Sequence, residues 1–377
     1  MKIQTQVIPL SNPGTVRSIK SFHFTGKKSD GSTAERSVYL QGSLHADEWP
    51  PSLVLNQLIK ELETLERDGK LRADFTVVPF CNPIGLDQNL SHLQMGRFDL
   101  DSGKNFNRDF PNWNEKLFNS VKASLGNDQK ENTRLIRKAL DQLLNEWTPK
   151  TELEASKKVL FSLSLHCDFV FDMHCDYEAV LHLYTQEEFW PNLQKIAAAI
   201  GSKTQLIGAA SGDNPFDEAT TGHWIYLQKQ KGSDQVALGC QGATIEYRGQ
   251  NDVSLPLAQD DAKKLCVGFA HLGLIDGTMN PLPELQYPAT PLAGSEDIKA
   301  PYAGLVSFQK NLGDYVKAGE IVCDLIDPVM NTTIAISAKH SGVLYARDWR
   351  RYCLANATLA KVASSEAFKT GSLLSAK

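Results

Sequence analysis

Runs of β-branched and aromatic residues recur along the first two thirds of the chain, and several stop at side chains able to bind a metal or carry a proton. Ser37-Val38-Tyr39-Leu40-Gln41-Gly42 leads into His45-Ala46-Asp47-Glu48, residues 169–174 end on His174, and Ala243-Thr244-Ile245 leads to Glu246. Helical patterns separate the runs. Pro50 and Pro51 suit a first helical turn, where a missing N–H costs little. Leu55, Leu58, Ile59, Leu62 and Leu65 then recur at helical spacing until Asp68-Gly69. Residues 74–80 read as the next buried strand, 131–147 as a helix and 179–184 as a further strand. This alternation predicts an α/β domain built on a largely parallel or mixed sheet flanked by helices. Open sheets of that class place their ligands at strand ends.

A length of 377 residues predicts two domains. The composition shifts after about Gly277, where Pro281, Pro283, Pro288, Pro291 and Gly294 mark a linker and the remainder is β-rich with glycine turns. The expected division is a larger domain over 1–280, a linker over 281–298, a smaller all-β domain over 299–366 and a tail over 367–377. Within the β-rich part, residues 300–306 echo residues 338–344. Two such halves resemble the barrel-sandwich hybrid of biotinyl and lipoyl domains. The carrier lysine of those domains belongs at the hairpin between the halves, but here residues 327–333 hold no lysine. A structural or access-shaping role is the expectation for this unit.

Charge excludes some functions. The 44 acids and 39 bases leave a net charge of -5 without long runs of one sign, so no nucleic-acid footprint is expected. No stretch is long and apolar enough to span a bilayer, and the first residues lack the apolar core of a signal peptide. Seven scattered cysteines without a CxxC pair suit a reducing cytoplasm better than a disulfide framework. Oligomeric state is left open, a homo-oligomer included.

His45 and Glu48, three residues apart where a strand meets a helix, can face one metal ion, and His174 at a later strand end can supply a third ligand. Two His and one Glu with an open fourth position is the ligand set of a catalytic zinc. His166 and His182 are rivals to His174. His166 reads as a core histidine, whereas His182 either lines the site or packs in the core. Cys167 and Cys175 read as small buried hydrophobes. Asp172 is placed to orient a ligand histidine. Arg248, beside Glu246, either contacts an acidic substrate or pairs with a surface acid. Tyr287, in the linker, is a candidate to reach across the cleft.

Further motifs follow in order: Cys81-Asn82-Pro83, then Arg97, then Asn105-Phe106-Asn107-Arg108-Asp109-Phe110-Pro111, then Asp172-Met173-His174, then Thr244-Ile245-Glu246. This series resembles the succinylglutamate desuccinylase/aspartoacylase family, relatives of the zinc carboxypeptidases, over roughly residues 37–250. The resemblance implies a zinc carboxypeptidase-like mixed sheet with one Zn2+ per chain on His45, Glu48 and His174. It also implies that Glu246 is the catalytic glutamate, that Arg97 polarises the scissile carbonyl, and that Asn107 and Arg108 hold a substrate carboxylate. One departure is that the family's Asp-Leu-Asn-Arg block reads Asn105-Phe106-Asn107-Arg108 here.

The expected activity is zinc-dependent hydrolysis of the amide bond in a small N-acyl amino acid or similar carboxylated amide. A metal-activated water would be the nucleophile and Glu246 the general base. The alternatives are a carboxypeptidase acting on peptide C-termini and a non-catalytic binding protein on the same scaffold. An open groove would favour peptides, and a roofed pocket small amides. The acyl group and amino acid would be read by loops such as 210–215.

Overall fold

The computed structural model describes residues 1–28, 30–209, 211–277, 280–371 and 373. Ala210 of the 210–215 loop, and residues 372 and 374–377 of the expected tail, lie outside the described residues. At the centre is a nine-stranded sheet. From edge to edge its strands are Lys2–Val7, Ser18–Phe24, Asp74–Val78, Ser37–Gly42, Phe169–Asp176, Gln241–Gly249, His182–Thr185, Thr204–Ile207 and Thr290–Pro291. The four strands from Asp74–Val78 to Gln241–Gly249 are mutually parallel. Ser18–Phe24 and His182–Thr185 flank them antiparallel, so the sheet is mixed, as expected. Ser37–Gly42 and Phe169–Asp176 are buried along almost their whole length. That is why they read as continuous apolar runs rather than as alternating ones.

Successive side chains still point to opposite faces. Val38, Leu40, Phe169, Phe171 and Met173 pack with Leu55, Leu58 and Leu62 of helix Pro50–Arg67 and with Leu265 and Phe269 of helix Leu255–His271. Tyr39 and Val170 face the other side. There they meet Ile136 and Leu140 of helix Gln129–Glu146, Phe161 of helix Glu152–Ser164, and Trp224 of helix Phe216–Lys231. The same alternation puts Gln41, Asp172 and His174 on this second face, at the carboxyl ends of the parallel strands. Register sets Asp172 beside both Gln41 and Thr244, and His174 beside Glu246.

Three expectations are corrected. The run at 74–80 ends as a strand at Val78, just before Pro79, a residue with no N–H for a ladder. The strand expected at 179–184 is two pieces, because Glu178–Ala179 pairs with Gly342–Arg347 of the C-terminal part while His182–Thr185 stays in the central sheet. His166 is exposed rather than in the core: it follows helix Glu152–Ser164 and pairs with Asp141 at 2.7 Å. Of the two readings of His182 the structure takes the core one. Its ring is buried edge-on against Tyr184 and Tyr345.

The β-rich C-terminal part forms two antiparallel sheets. One holds Ser295–Lys299, Thr358–Ser364, Gly342–Arg347 and Tyr315–Val316, with Glu178–Ala179 added alongside. The other holds Thr332–Ser337, Ile321–Asp327, Gly304–Phe308 and Tyr352–Cys353. Val316, Val322, Leu344 and Val362 form one apolar cluster between them, and Val306, Cys323 and Leu325 belong to another. The hairpin at which a carrier lysine would stand joins Ile321–Asp327 to Thr332–Ser337, and its tip exposes Val329 and Met330.

Phe171, fully buried and stacked between Phe169 and Phe269, tests this packing. Phe171→Ala is expected to cost about 3–5 kcal/mol in urea unfolding. A loss under about 1 kcal/mol would mean that the sheet does not pack as described.

Candidate metal centre

The turn between the strand Ser37–Gly42 and the helix Pro50–Arg67 carries two of the expected ligands, and several bonds hold it rigid. Ser43, at φ +55°, donates from Oγ to the Glu48 carbonyl at 2.6 Å. The Ala46 N–H donates to the Gly96 carbonyl at 2.9 Å. A Cβ on Gly96 would lie 2.1 Å from the Asp47 nitrogen, so only glycine admits this approach. Asn82 donates from Nδ2 to the Leu44 carbonyl and accepts the Gly85 N–H, which is the structural use of the Asn-Pro motif.

His45, Glu48 and His174 come together, all buried, with donor atoms within 4.8 Å of one another. His45 Nδ1 lies 2.9 Å from Glu48 Oε1, and His174 Nδ1 lies 2.8 Å from Glu48 Oε2. The protons on the other ring nitrogens follow from their partners. Asn105 Oδ1 accepts the Asn107 N–H at 2.8 Å, which fixes it as the amide oxygen, so His45 Nε2, 2.9 Å away, donates to it. His174 Nε2 donates to Asp172 Oδ2 at 2.9 Å, and Gln41 Nε2 holds Asp172 Oδ1 at 2.9 Å. Both Nδ1 lone pairs are then directed at the Glu48 carboxylate. Two ring nitrogens converging on one carboxylate suit a cation, and two imidazoles with one carboxylate is a zinc-type donor set. The residues therefore fit the ion.

Protonation agrees in part. Burial, with the nearby Arg97 guanidinium, brings His45 down to about 4, so its ring is neutral as a ligand must be. Burial also works to lower His174, but Asp172 and Glu48 outweigh it and raise the ring well above the ordinary value. A metal must displace that proton.

The other expected residues separate into those that reach the site and those that do not. Glu48, Arg97, Asn107, Arg108, His174 and Glu246 line a cavity of about 260 Å³ beside His45. Arg97 Nη2 donates to Glu48 Oε1 at 2.7 Å. Burial, followed by the charge of Glu48, pushes the Glu246 carboxyl up to about 8, and its Oε2 has no hydrogen-bond partner among the described residues. Asn107 spends its amide internally: Oδ1 accepts the Phe216 N–H at 2.8 Å, and Nδ2 lies 3.4 Å from Asp172 Oδ2 and 3.2 Å from His174 Nε2. Arg108 Nη1 donates to the Asn107 carbonyl, and Lys157 Nζ holds the Arg108 carbonyl at 2.5 Å. Arg248 does not line this cavity. The strand register breaks just past Glu246, Arg248 adopts φ +63°, and its guanidinium turns to Asp261 on helix Leu255–His271. Tyr287 packs near Tyr315 and is also outside the lining.

Sequence reading missed five contributors. Asn105 stood in the quoted block without a role, and Gln41 was visible only as an amide in an apolar strand. Asp217 and Glu218 line the cavity from the first turn of helix Phe216–Lys231, and Lys361 lines it from the C-terminal sheet. No spacing signal marked the last three.

Fold and site together define a mixed α/β protein with a buried two-histidine, one-glutamate cluster at the carboxyl ends of its parallel strands. Residues 34–265 match the succinylglutamate desuccinylase/aspartoacylase catalytic domain, more than half of the chain. The chain belongs to that family. Among solved structures it is similar to a succinylglutamate desuccinylase/aspartoacylase family protein of Shewanella amazonensis at 24% identity and TM-score 0.85, covering 96% of this chain and 98% of that one. A Shewanella frigidimarina counterpart matches at 22% identity and TM-score 0.84, covering 96% and 97%. The ectoine utilization protein EutE (DoeB) of Ruegeria pomeroyi matches at 15% identity and TM-score 0.67, covering 96% and 95%. At these identities the likeness is one of fold. No curated protein sequence matches the chain, and no described helix is long and apolar enough to cross a membrane.

Two measurements follow from the geometry. Asn105→Ala, read by competition with a chromophoric chelator, is expected to weaken zinc binding about 10–100-fold; unchanged affinity would deny the carboxamide its role. Because the raised His174 ring holds its proton until higher pH, zinc affinity should fall as pH drops from about 8 to about 6, and a flat profile would count against His174 as a ligand.

Proposed function

We propose that the chain hydrolyses the amide bond of a small N-acyl amino acid or related carboxylated amide. The observation that carries this reading is the one cavity that Glu246, Arg97 and Arg108 line together with the His45–Glu48–His174 cluster. Zinc on Nδ1 of His45, Nδ1 of His174 and the Glu48 carboxylate would supply Lewis-acid polarisation and a water acidic enough to react near neutral pH. In its ionised form Glu246 can take a proton at Oε2, which has no partner among the described residues, and return it to the departing amine. Arg97 presents a guanidinium where negative charge gathers on the carbonyl oxygen. Arg108 offers the planar fork that binds a carboxylate through two parallel bonds.

Size favours small amides over peptides. The cavity, about 260 Å³, falls just below the range for drug-sized ligands. Its lining is completed by Leu292 and by Lys361 from the C-terminal sheet. In this reading residues 1–280 carry the chemistry and residues 299–366 narrow the entrance.

The test is amine release from a panel of N-acyl amino acids and short peptides, with zinc and with a chelator control. Chelator-sensitive cleavage confined to acyl amino acids is expected. Cleavage of peptides alone would move the activity to the carboxypeptidase class, and silence with zinc bound would leave a binding protein. Glu246→Gln should lower turnover by about 10²–10⁴-fold with zinc retained; a fully active variant would sink the mechanism.

A further inference from the structure

The strand that delivers His174 continues into Asp176, Tyr177 and Glu178, and the C-terminal part sets a cation on each of these three residues. Lys361 Nζ donates to Asp176 Oδ2 at 2.6 Å. Arg350 stands 5.7 Å from the centre of the Tyr177 ring. Arg347 Nε and Arg351 Nη2 donate to Glu178 at 2.6 Å and 2.9 Å. Main-chain pairing joins the same places: Arg347 sits opposite Glu178, and the Val180 N–H donates to the Tyr345 carbonyl.

The other side of this segment touches the site. Arg97 lies 5.9 Å from the centre of the Tyr177 ring that Arg350 also meets, and it is the same Arg97 that reaches Glu48. The strand carrying Glu246 presses on it as well. A Cβ on Gly249 would lie 2.7 Å from the Tyr177 carbonyl oxygen, and the Gln250 N–H donates to the Asp176 and Tyr177 carbonyls at 3.1 Å. Asp176 and Lys361 line the main cavity and also a second one of about 70 Å³. Their ion pair is therefore the partition between the two.

We propose that the C-terminal β unit is a working wall of the site and that Lys361 is a positioning residue within it. By holding Asp176, its ammonium fixes the 176–178 segment on which Arg97 and the Glu246 strand rest. A largely buried carboxylate that loses its salt-bridge partner moves or takes up water, and here either response reaches both Arg97 and Glu246. The role differs from narrowing an entrance, since a lid needs bulk and this contact needs charge. It rests on the hydrolase reading only where turnover is the readout.

The experiment compares Lys361→Met, which keeps length and loses charge, with Lys361→Arg, using the full chain loaded with Zn2+ or Co2+. Hydrogen–deuterium exchange over residues 172–180 should rise about tenfold or more in the Met variant and stay near wild type in the Arg variant. The visible spectrum of the Co2+ form should shift in the Met variant alone. On any amide that the wild type cleaves, kcat should drop about 10–100-fold with KM little changed, and arginine should restore much of it. Unchanged exchange and spectrum in Lys361→Met would overturn the proposal. A raised KM with intact kcat would also overturn it, making Lys361 a substrate contact instead. Should Lys361→Met not fold, Asp176→Asn removes the same ion pair from the other side and decides by the same readouts. If the wild type cleaves nothing in the panel, the hydrolase reading fails while exchange and the Co2+ spectrum still decide the role of Lys361.

Discussion

A carboxylate that is 1% exposed governs this structure. Burying the Glu48 charge without partners would cost several kcal/mol, so each of its oxygens is met twice. Oε1 takes Arg97 and faces His45, while Oε2 takes the Cys175 N–H and faces His174. Its partners come from three separate stretches of chain, and each of those has further supports. Gly96 fits against the 45–48 turn, Asn105 holds the far side of one imidazole, and Asp172 with Gln41 holds the other. The centre of the site is thus also the point where distant segments are obliged to agree. Those partners also hold Glu48 well below the ordinary glutamate value despite its burial.

What could be read in the sequence, and what could not, divides along physical lines. The strands Ser37–Gly42 and Phe169–Asp176 announce themselves because both faces are buried, and a doubly buried strand lacks the polar-apolar alternation of a half-exposed one. Their ends were legible for the same reason, since a His or Glu is conspicuous where an apolar run stops. Helix Pro50–Arg67 was legible through its leucine spacing and paired prolines. The fate of residues 179–184 was not, because a two-residue pairing with a strand more than 150 residues later has no local mark. Arg248 was left with two readings for a related reason. Its direction is set by a break in register and a left-handed backbone, whereas the sequence shows only an arginine two residues from a glutamate. Asn105 and Gln41 illustrate a third limit: an amide that orients a histidine looks the same in sequence as one facing water.

The cavity that results has an uneven electrical character. Arg97 is engaged by Glu48 and Lys361 by Asp176, so two of its three cations face built-in acids. Asp217 and Glu218 add carboxylates near Arg108, and burial, reinforced by Asp217, lifts Glu218 to about 7. A cation bound between the histidines would compete with Arg97 for Glu48. Loading the cluster and freeing the Arg97 guanidinium for an anion are therefore linked events. Apo and loaded forms should differ in affinity for anions even where their folds coincide.

Lys361 adds an order in time. His45, Glu48, His174 and Glu246 have all left the ribosome well before the strand Thr358–Ser364 is made, and roughly a hundred residues separate the last of them from Lys361. At synthesis rates of about 5–20 residues per second, that gap lasts from several seconds to some twenty. During it the nascent chain can own every metal-binding atom and still lack the partition behind them. The side chains of the cluster thus precede, in the making of the chain, the wall that later stands behind them.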